Sequence, residues 1–158
     1  MSIVMASIDH TTASLSLREK FSFTANRIRS LLPEIRRTEG VLGAALLCTC
    51  NRTELYLSCD EKCEADPVEI LCESAGQDRP ASGFAVKREE EAAAHLMEVA
   101  CGLRSMIRGE DQIITQVGSA ALQAREAGGS DAVLETLFRL GVTAAKKVKT
   151  LYGHLSEI

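Results

Sequence analysis

Apolar positions fall in two periods along the chain, and the switch between them divides it. Ile3, Val4, Met5, Ala6 and Ile8 form a run short enough for a strand, closed by the turn-forming Asp9-His10-Thr11-Thr12. Leu17 to Phe23 predicts a short helix, after which Thr24 offers an N-cap to a second helix with Ile28, Leu31, Leu32 and Ile35 on one face. Pro33 falls inside that pattern and predicts a kink or break, and Gly40 closes it. Val41 to Leu47 is apolar without interruption, which predicts a central strand covered on both faces. Leu55 and Leu57 alternate with Glu54, Tyr56 and Ser58, predicting a half-buried antiparallel strand joined to the preceding one as a hairpin. Pro67 to Ser74 predicts a helix and Phe84 to Val86 a short strand. The order strand, helix, strand, strand, helix, strand is that of a split βαβ unit, so the expected class is α+β with a ferredoxin-like antiparallel sheet.

From Glu89 the period becomes helical. Ala92, Leu96, Val99 and Leu103 form one stripe with His95 at its edge, and three glutamates suit the first turn. Gly109 to Ala127 predicts another helix on Ile113, Val117, Ala120, Ala121 and Ala124, stopped by Gly128-Gly129. Asp131 can cap a last helix with the stripe Leu134, Leu137, Phe138, Gly141, Ala145, Val148 and Tyr152. That helix is still in pattern at Ile158, so the sequence reads as part of a longer chain. The 158 residues make one expected domain, with an α/β sandwich core over 1–88 and a helical part over 89–158.

Composition narrows the setting. No stretch approaches the roughly 18 apolar residues of a membrane span, and residues 1–10 lack the sequence of a secretory signal. The expected location is cytoplasmic, where six cysteines are free thiols rather than a disulfide framework. The net charge of −4 is unevenly spread. Residues 1–40 carry six basic and four acidic side chains, residues 54–98 four and twelve, and residues 139–158 four and one. The overall acidity argues against a non-specific nucleic-acid binder, while two basic ends suit phosphate. A metal site on Cys48, Cys59 and Cys63 is a weak alternative. Cys48-Thr49-Cys50 is too closely spaced to curl around one ion, and Cys59 and Cys63 lack a second pair, so no metal is expected.

The candidate chemistry lies at Cys48-Thr49-Cys50-Asn51-Arg52-Thr53-Glu54, where an apolar strand ends and an alternating one begins. A cysteine at a strand end is more often a small buried hydrophobe than a nucleophile. The run Gly109-Glu110-Asp111-Gln112 adds polar side chains at a predicted helix N-terminus, which suits a small anion but equally suits the helix dipole.

Several stretches together resemble one family, the glutamyl-tRNA reductases, and within it the N-terminal catalytic domain. They are Ile8-Asp9-His10-Thr11-Thr12-Ala13 with Leu17-Arg18-Glu19, Thr49-Cys50-Asn51-Arg52-Thr53-Glu54-Leu55-Tyr56, His95-Leu96 with Val99-Ala100, Gly102-Leu103 with Ser105-Met106, Gly109-Glu110-Asp111-Gln112-Ile113 with Gln116-Val117, and Ala144 to Val148. The resemblance implies reduction of glutamate esterified to its tRNA, using NADPH, to glutamate-1-semialdehyde in tetrapyrrole (porphyrin) biosynthesis. The family's nucleophile falls on Cys50, not Cys48, and its thiolate would attack the glutamyl ester to form a thioester. Arg52 would hold the substrate carboxylate, as a planar two-donor fork is suited to do. His95 would lie near the thioester. Thr49, Ser105, Glu110, Gln112 and Gln116 would line the substrate site.

The sequence departs from the family pattern where Asp9 and Thr11 stand in place of asparagine and lysine, and where Arg104 replaces an acidic residue. It also contains no Gly-x-Gly-x-x-Gly, so NADPH is expected to be bound by a domain absent from these 158 residues, reached through a linker after the helical part. Implied partners are glutamyl-tRNA and the downstream aminomutase, with a homodimer only in a full-length chain. The alternative reading is a non-catalytic stand-alone relative that binds glutamyl-tRNA or a regulatory partner.

Overall fold

The computed structural model describes residues 2–106 and 112–156, the last three by backbone alone. Gly109-Glu110-Asp111, including the candidate Glu110, lies outside the described residues, as does Ile158. The order is β1 (Ser2–Asp9), α1 (Leu15–Glu19), α2 (Ala25–Arg36), β2 (Val41–Cys48), β3 (Arg52–Cys59), α3 (Pro67–Ala75), β4 (Ala85–Arg88), α4 (Glu89–Ala100), α5 (Gln112–Glu126) and α6 (Ala132–Ser156). The class is α+β, with one four-stranded sheet in the order β2-β3-β1-β4 and antiparallel neighbours throughout.

That order reverses two expectations about the strands. β2 is an edge strand, yet its apolar run is explained because the edge is covered. The Ala44 amide donates to the Gly129 carbonyl at 2.7 Å, so the α5–α6 turn pairs with the outer side of β2. Arg36 clamps the same turn, donating from Nη1 to the carbonyls of Gly128 and Ser130 at 3.0 Å each. Covering an edge in this way removes a template for unwanted pairing. β3, expected to be half buried, is buried at all eight positions because it lies between β2 and β1 with helices on both faces. Its polar residues therefore point into the interior.

Helices α2 and α3 form one layer, sharing a surface groove at Leu31, Ile35 and Ile70. Helices α4, α5 and α6 form the other, where Phe138 of α6 meets Tyr56 of β3 edge-on with ring centroids 5.4 Å apart. α1 is shorter and earlier than expected, starting at Leu15 because the Ser14 hydroxyl caps the Leu17 amide. Pro33 does not break α2, since its missing donor frees only the Arg29 carbonyl on the exposed face. α4 stops at Ala100, leaving Leu103 exposed instead of extending the stripe. On α6 the stripe is buried through Ala145, whereas Val148 and Tyr152 are exposed. The turns are set by glycines at positive φ, including Gly40, Gly76 and Gly128.

Candidate active site

The turn between β2 and β3 is tight. The Thr49 amide donates to the Arg52 carbonyl at 2.9 Å, leaving Cys50 and Asn51 as the loop, and the Thr49 hydroxyl accepts from the Asn51 amide. The His10 amide donates to the Asn51 carbonyl at 3.1 Å, tying the loop to the end of β1. Cys50 is consequently exposed at the apex of a hairpin whose backbone is fixed on both sides.

A small cleft opens beside it, lined by Thr49, Cys50, Asn51 and Arg52 from the hairpin, Ser105 from the segment after α4, and Gln112, Ile113 and Gln116 from α5. Six of the expected site residues thus share one surface: Cys50, Thr49, Arg52, Ser105, Gln112 and Gln116. Gln112 and Gln116 reach it together because residues four apart share a helix face.

The two neighbouring cysteines have different surroundings. Cys48 closes β2 and turns toward the start of α2, with its Sγ 3.5 Å from the Phe23 amide and 3.5 Å from Thr53 Oγ1. Cys50 lines the cleft. Cys59 lies at the far end of the hairpin from both, opposite Val41, and its burial beside Cys63 pushes the thiol up to about 12. Cys48 is therefore not near Cys59 and Cys63, which the metal alternative required. Among the described residues no cluster of three or more His, Cys, Asp or Glu side chains is arranged to hold a metal.

Behind the cleft lies a buried charge network centred on Glu54, which is fully buried. Glu54 Oε2 accepts from Ser7 Oγ at 2.8 Å, Arg52 Nη1 at 3.0 Å and His95 Nε2 at 2.5 Å, and Oε1 accepts from Tyr56 Oη at 2.8 Å. Burial opposes ionisation of Glu54, but the donors His95 and Ser7 and the Arg52 charge outweigh it and hold the carboxyl below its usual range. Burial also disfavours the Asp9 anion, yet two hydrogen bonds from Thr11 and the Arg52 charge lower its pKa as well. Tyr56 is driven the other way, by burial and by the Glu54 anion.

Arg52 is consequently held from several sides. Besides Glu54, its Nη1 lies 3.5 Å from Asp9 Oδ2, and its Nη2 donates to the Arg104 carbonyl at 2.5 Å. The Arg104 side chain pairs with Glu98 at 2.7 Å, which fixes the segment carrying that carbonyl. A guanidinium has five donors; these contacts engage two of its nitrogens, and Arg52 is among the residues that line the cleft.

His95 is placed differently from expectation. It is 3 % exposed and does not line the cleft; its ring is occupied by Glu54 on one side and Lys87 on the other. Glu54 as the hub, with Ser7, Tyr56 and Lys87 bonded around it, is not among the site residues expected from the sequence. The signal was present: Arg52, Glu54 and Tyr56 stand two apart on one strand face, so a cation, an anion and a phenol were bound to meet wherever that face went.

Comparisons with known proteins point to one family. The model of the family described as glutamyl-tRNA(Glu) reductase, N-terminal domain, matches residues 6–152. The chain is 50% identical over 153 residues to a probable multifunctional siroheme biosynthesis protein of Ruminiclostridium josui, covering 95% of this chain and 30% of that protein. It is 46% identical over 152 residues to a glutamyl-tRNA reductase of Acetivibrio thermocellus, covering 95% and 46%. Among solved structures, the glutamyl-tRNA reductase of Methanopyrus kandleri superposes with a TM-score of 0.76 at 33% identity, over 94% of this chain and 34% of that one. The chain thus spans between about a third and a half of the length of these relatives. It belongs to the glutamyl-tRNA reductase family, matching the N-terminal domain.

Proposed function

We propose that this chain is the catalytic part of a glutamyl-tRNA reductase, in which Cys50 takes the glutamyl group from its tRNA. The observation that carries the reading is an exposed thiol at the apex of a braced hairpin, sharing a polar cleft with an arginine held from behind. The Arg52 donors not engaged by Glu54 and the Arg104 carbonyl would take the γ-carboxylate of the glutamyl group. Thr49, Ser105, Gln112 and Gln116 would supply polar contacts around it. The Cys50 thiolate then attacks the ester carbonyl; the S–C bond forms, the C–O bond to the terminal ribose breaks, and the proton lost by the thiol ends on the ribose oxygen. The product is a glutamyl thioester on Cys50 and free tRNA.

Reduction of that thioester to glutamate-1-semialdehyde needs a hydride, and NADPH is the family's donor. The residues here do not suit a dinucleotide. The sheet is antiparallel, and the one strand that passes directly into a helix does so through Arg88-Glu89 with no glycine. We assign NADPH to the part of the longer relatives that this chain does not span. The strand order β2-β3-β1-β4 supports a ferredoxin-like split βαβ sheet over 1–88, with 89–158 as the helical part of one catalytic domain. A cytoplasmic setting, glutamyl-tRNA as substrate, the downstream aminomutase as recipient and a homodimer in the full-length protein complete the proposal. Among the described residues no helix is long and apolar enough to cross a membrane.

The test is transfer of labelled glutamate from glutamyl-tRNA to protein. The chain should acquire one hydroxylamine-labile label; Cys50→Ser should lose it and Cys48→Ser retain it. Labelling that survives Cys50→Ser overturns the assignment.

A further inference from the structure

The hydrogen bonds around Glu54 continue to a residue outside the cleft. Lys87 Nζ lies 3.1 Å from His95 Nδ1. An ammonium only donates, so Nδ1 is the acceptor and the ring carries its proton on Nε2. That proton is directed at Glu54 Oε2, the same oxygen that accepts from Arg52. The backbone brings the pair together: β4 passes directly into α4 at Glu89, whose φ of 51° lies in the left-handed region. This turn returns α4 over the end of β4, so that Lys87 on the strand meets His95 on the helix.

The charged groups near the imidazole can be enumerated. Glu54 and Arg52 face it from β3, and Asp9 of β1 stands behind Arg52. On α4, Glu91 is exposed and Glu98 is engaged by Arg104. Among the described residues, Lys87 is the group bonded to the Nδ1 side of the ring.

We propose that Lys87 is a positioning residue for the acyl-transfer site: it fixes the Nε2–H tautomer of His95, which anchors Glu54 and through it the orientation of Arg52. The proposal rests on the reading of Arg52 as carboxylate clamp. With Lys87 absent, the Glu54 carboxylate still holds a proton on Nε2, but Nδ1 loses the donor that keeps it bare and is open to a second proton. The doubly protonated ring would share the Glu54 charge that now holds Arg52, which loosens the guanidinium without touching Cys50.

The experiment compares the chain with Lys87→Met and Lys87→Arg. The ring nitrogens of His95 are observed by ¹⁵N NMR, assigned by the signal lost in His95→Gln, and the Arg52 Nε–H resonance is followed in the same samples. The parent should show a bare Nδ1 and a protonated Nε2. Lys87→Met should protonate Nδ1 in part or whole and shift the Arg52 resonance, and Lys87→Arg should restore both. In the acylation assay Lys87→Met should raise the half-saturating glutamyl-tRNA concentration roughly tenfold with the maximal rate within about twofold. An unchanged His95 pattern in folded Lys87→Met overturns the proposal. So does a changed pattern with an unmoved Arg52 resonance. If the parent chain accepts no glutamyl group, the proposed function fails, and the two NMR readouts still decide the role of Lys87.

Discussion

Glu54→Gln is the substitution to which this structure should respond most strongly for its size. The change is nearly isosteric, so packing around the side chain is preserved and the electrostatic term is isolated. Glu54 accepts from four donors: a serine hydroxyl, a guanidinium, a phenol and an imidazole N–H. A glutamine offers one oxygen and an NH₂ group. With the amide oxygen in the place of Oε2, the NH₂ faces only Tyr56, whose hydroxyl can rotate to accept, but a neutral oxygen must then serve Ser7, Arg52 and His95; with the amide reversed, the NH₂ faces those three donors. Arg52, 3 % exposed, keeps only Asp9 at 3.5 Å as counter-ion. Breaking a buried pair by removing one partner costs about 3–5 kcal/mol, a large share of a typical stability of roughly 5–15 kcal/mol. In urea, with a slope of about 2 kcal/mol/M, the midpoint should fall by about 2 M at constant slope. Adding Arg52→Met removes the orphaned cation, so the double variant should be more stable than the sum of the two single losses predicts. A midpoint shift under about 0.5 M, or strict additivity, would falsify the account of Glu54 as the buried counter-charge.

The same network sets an acid limit. Glu54 and Asp9 are held below their usual carboxyl values in the folded chain, so the unfolded chain binds more protons as the pH falls past about 4.3 for Glu54 and about 3.9 for Asp9. Their stabilisation is fully present above those values and is lost as the pH falls through the lower folded values; urea midpoints from pH 6 down to 3 should decline, and Glu54→Gln should flatten the decline. At the covered edge of β2, Gly129→Ala would set a Cβ 2.8 Å from Leu32 Cβ and 3.0 Å from the Ala44 carbonyl oxygen. The expected cost is about 2 kcal/mol, or roughly 5 °C in Tm, and an unshifted melting curve would show that the α5–α6 turn does not bear on that strand.

Most elements were legible because their signals are local. Thr24 and Asp131 each sit one residue before a helix and each caps it through its side chain. The burial of Ile28, Leu31, Leu32 and Ile35 on α2 follows from their spacing alone. What failed was non-local. Uninterrupted apolar residues in Val41–Leu47 mean two covered faces, and a sequence does not state whether the cover at the strand's side is another strand or a turn from residues 128–130. Alternation in β3 predicts one wet face, since polar residues usually mark solvent. Here Glu54, Tyr56 and Ser58 are buried because α4 and α6 cover that face. The residues gathered at the cleft were legible for a further reason: Thr49, Cys50 and Arg52 are neighbours in the chain, so their meeting needs no knowledge of topology.

The placement of His95 follows from the same distinction and bears on the chemistry. As a histidine beside an apolar stripe it fitted two roles, a group near the reacting thioester or a satisfied interior residue. The geometry gives it two hydrogen-bond partners, one on each ring nitrogen, so neither nitrogen is free to take the Cys50 proton. In the proposed reaction its effect would then pass through Glu54 and Arg52, as binding rather than as proton transfer. A charged residue that must present donors to a small cleft gains from being immobile before the substrate arrives, because the ordering cost is then met in folding instead of in binding. Four donors on one buried carboxylate supply that rigidity, while Cys50, on a two-residue loop outside the network, keeps the exposure a nucleophile requires. Substitutions within the network should therefore act mainly on the concentration dependence of acylation, and substitutions at Cys50 on its rate.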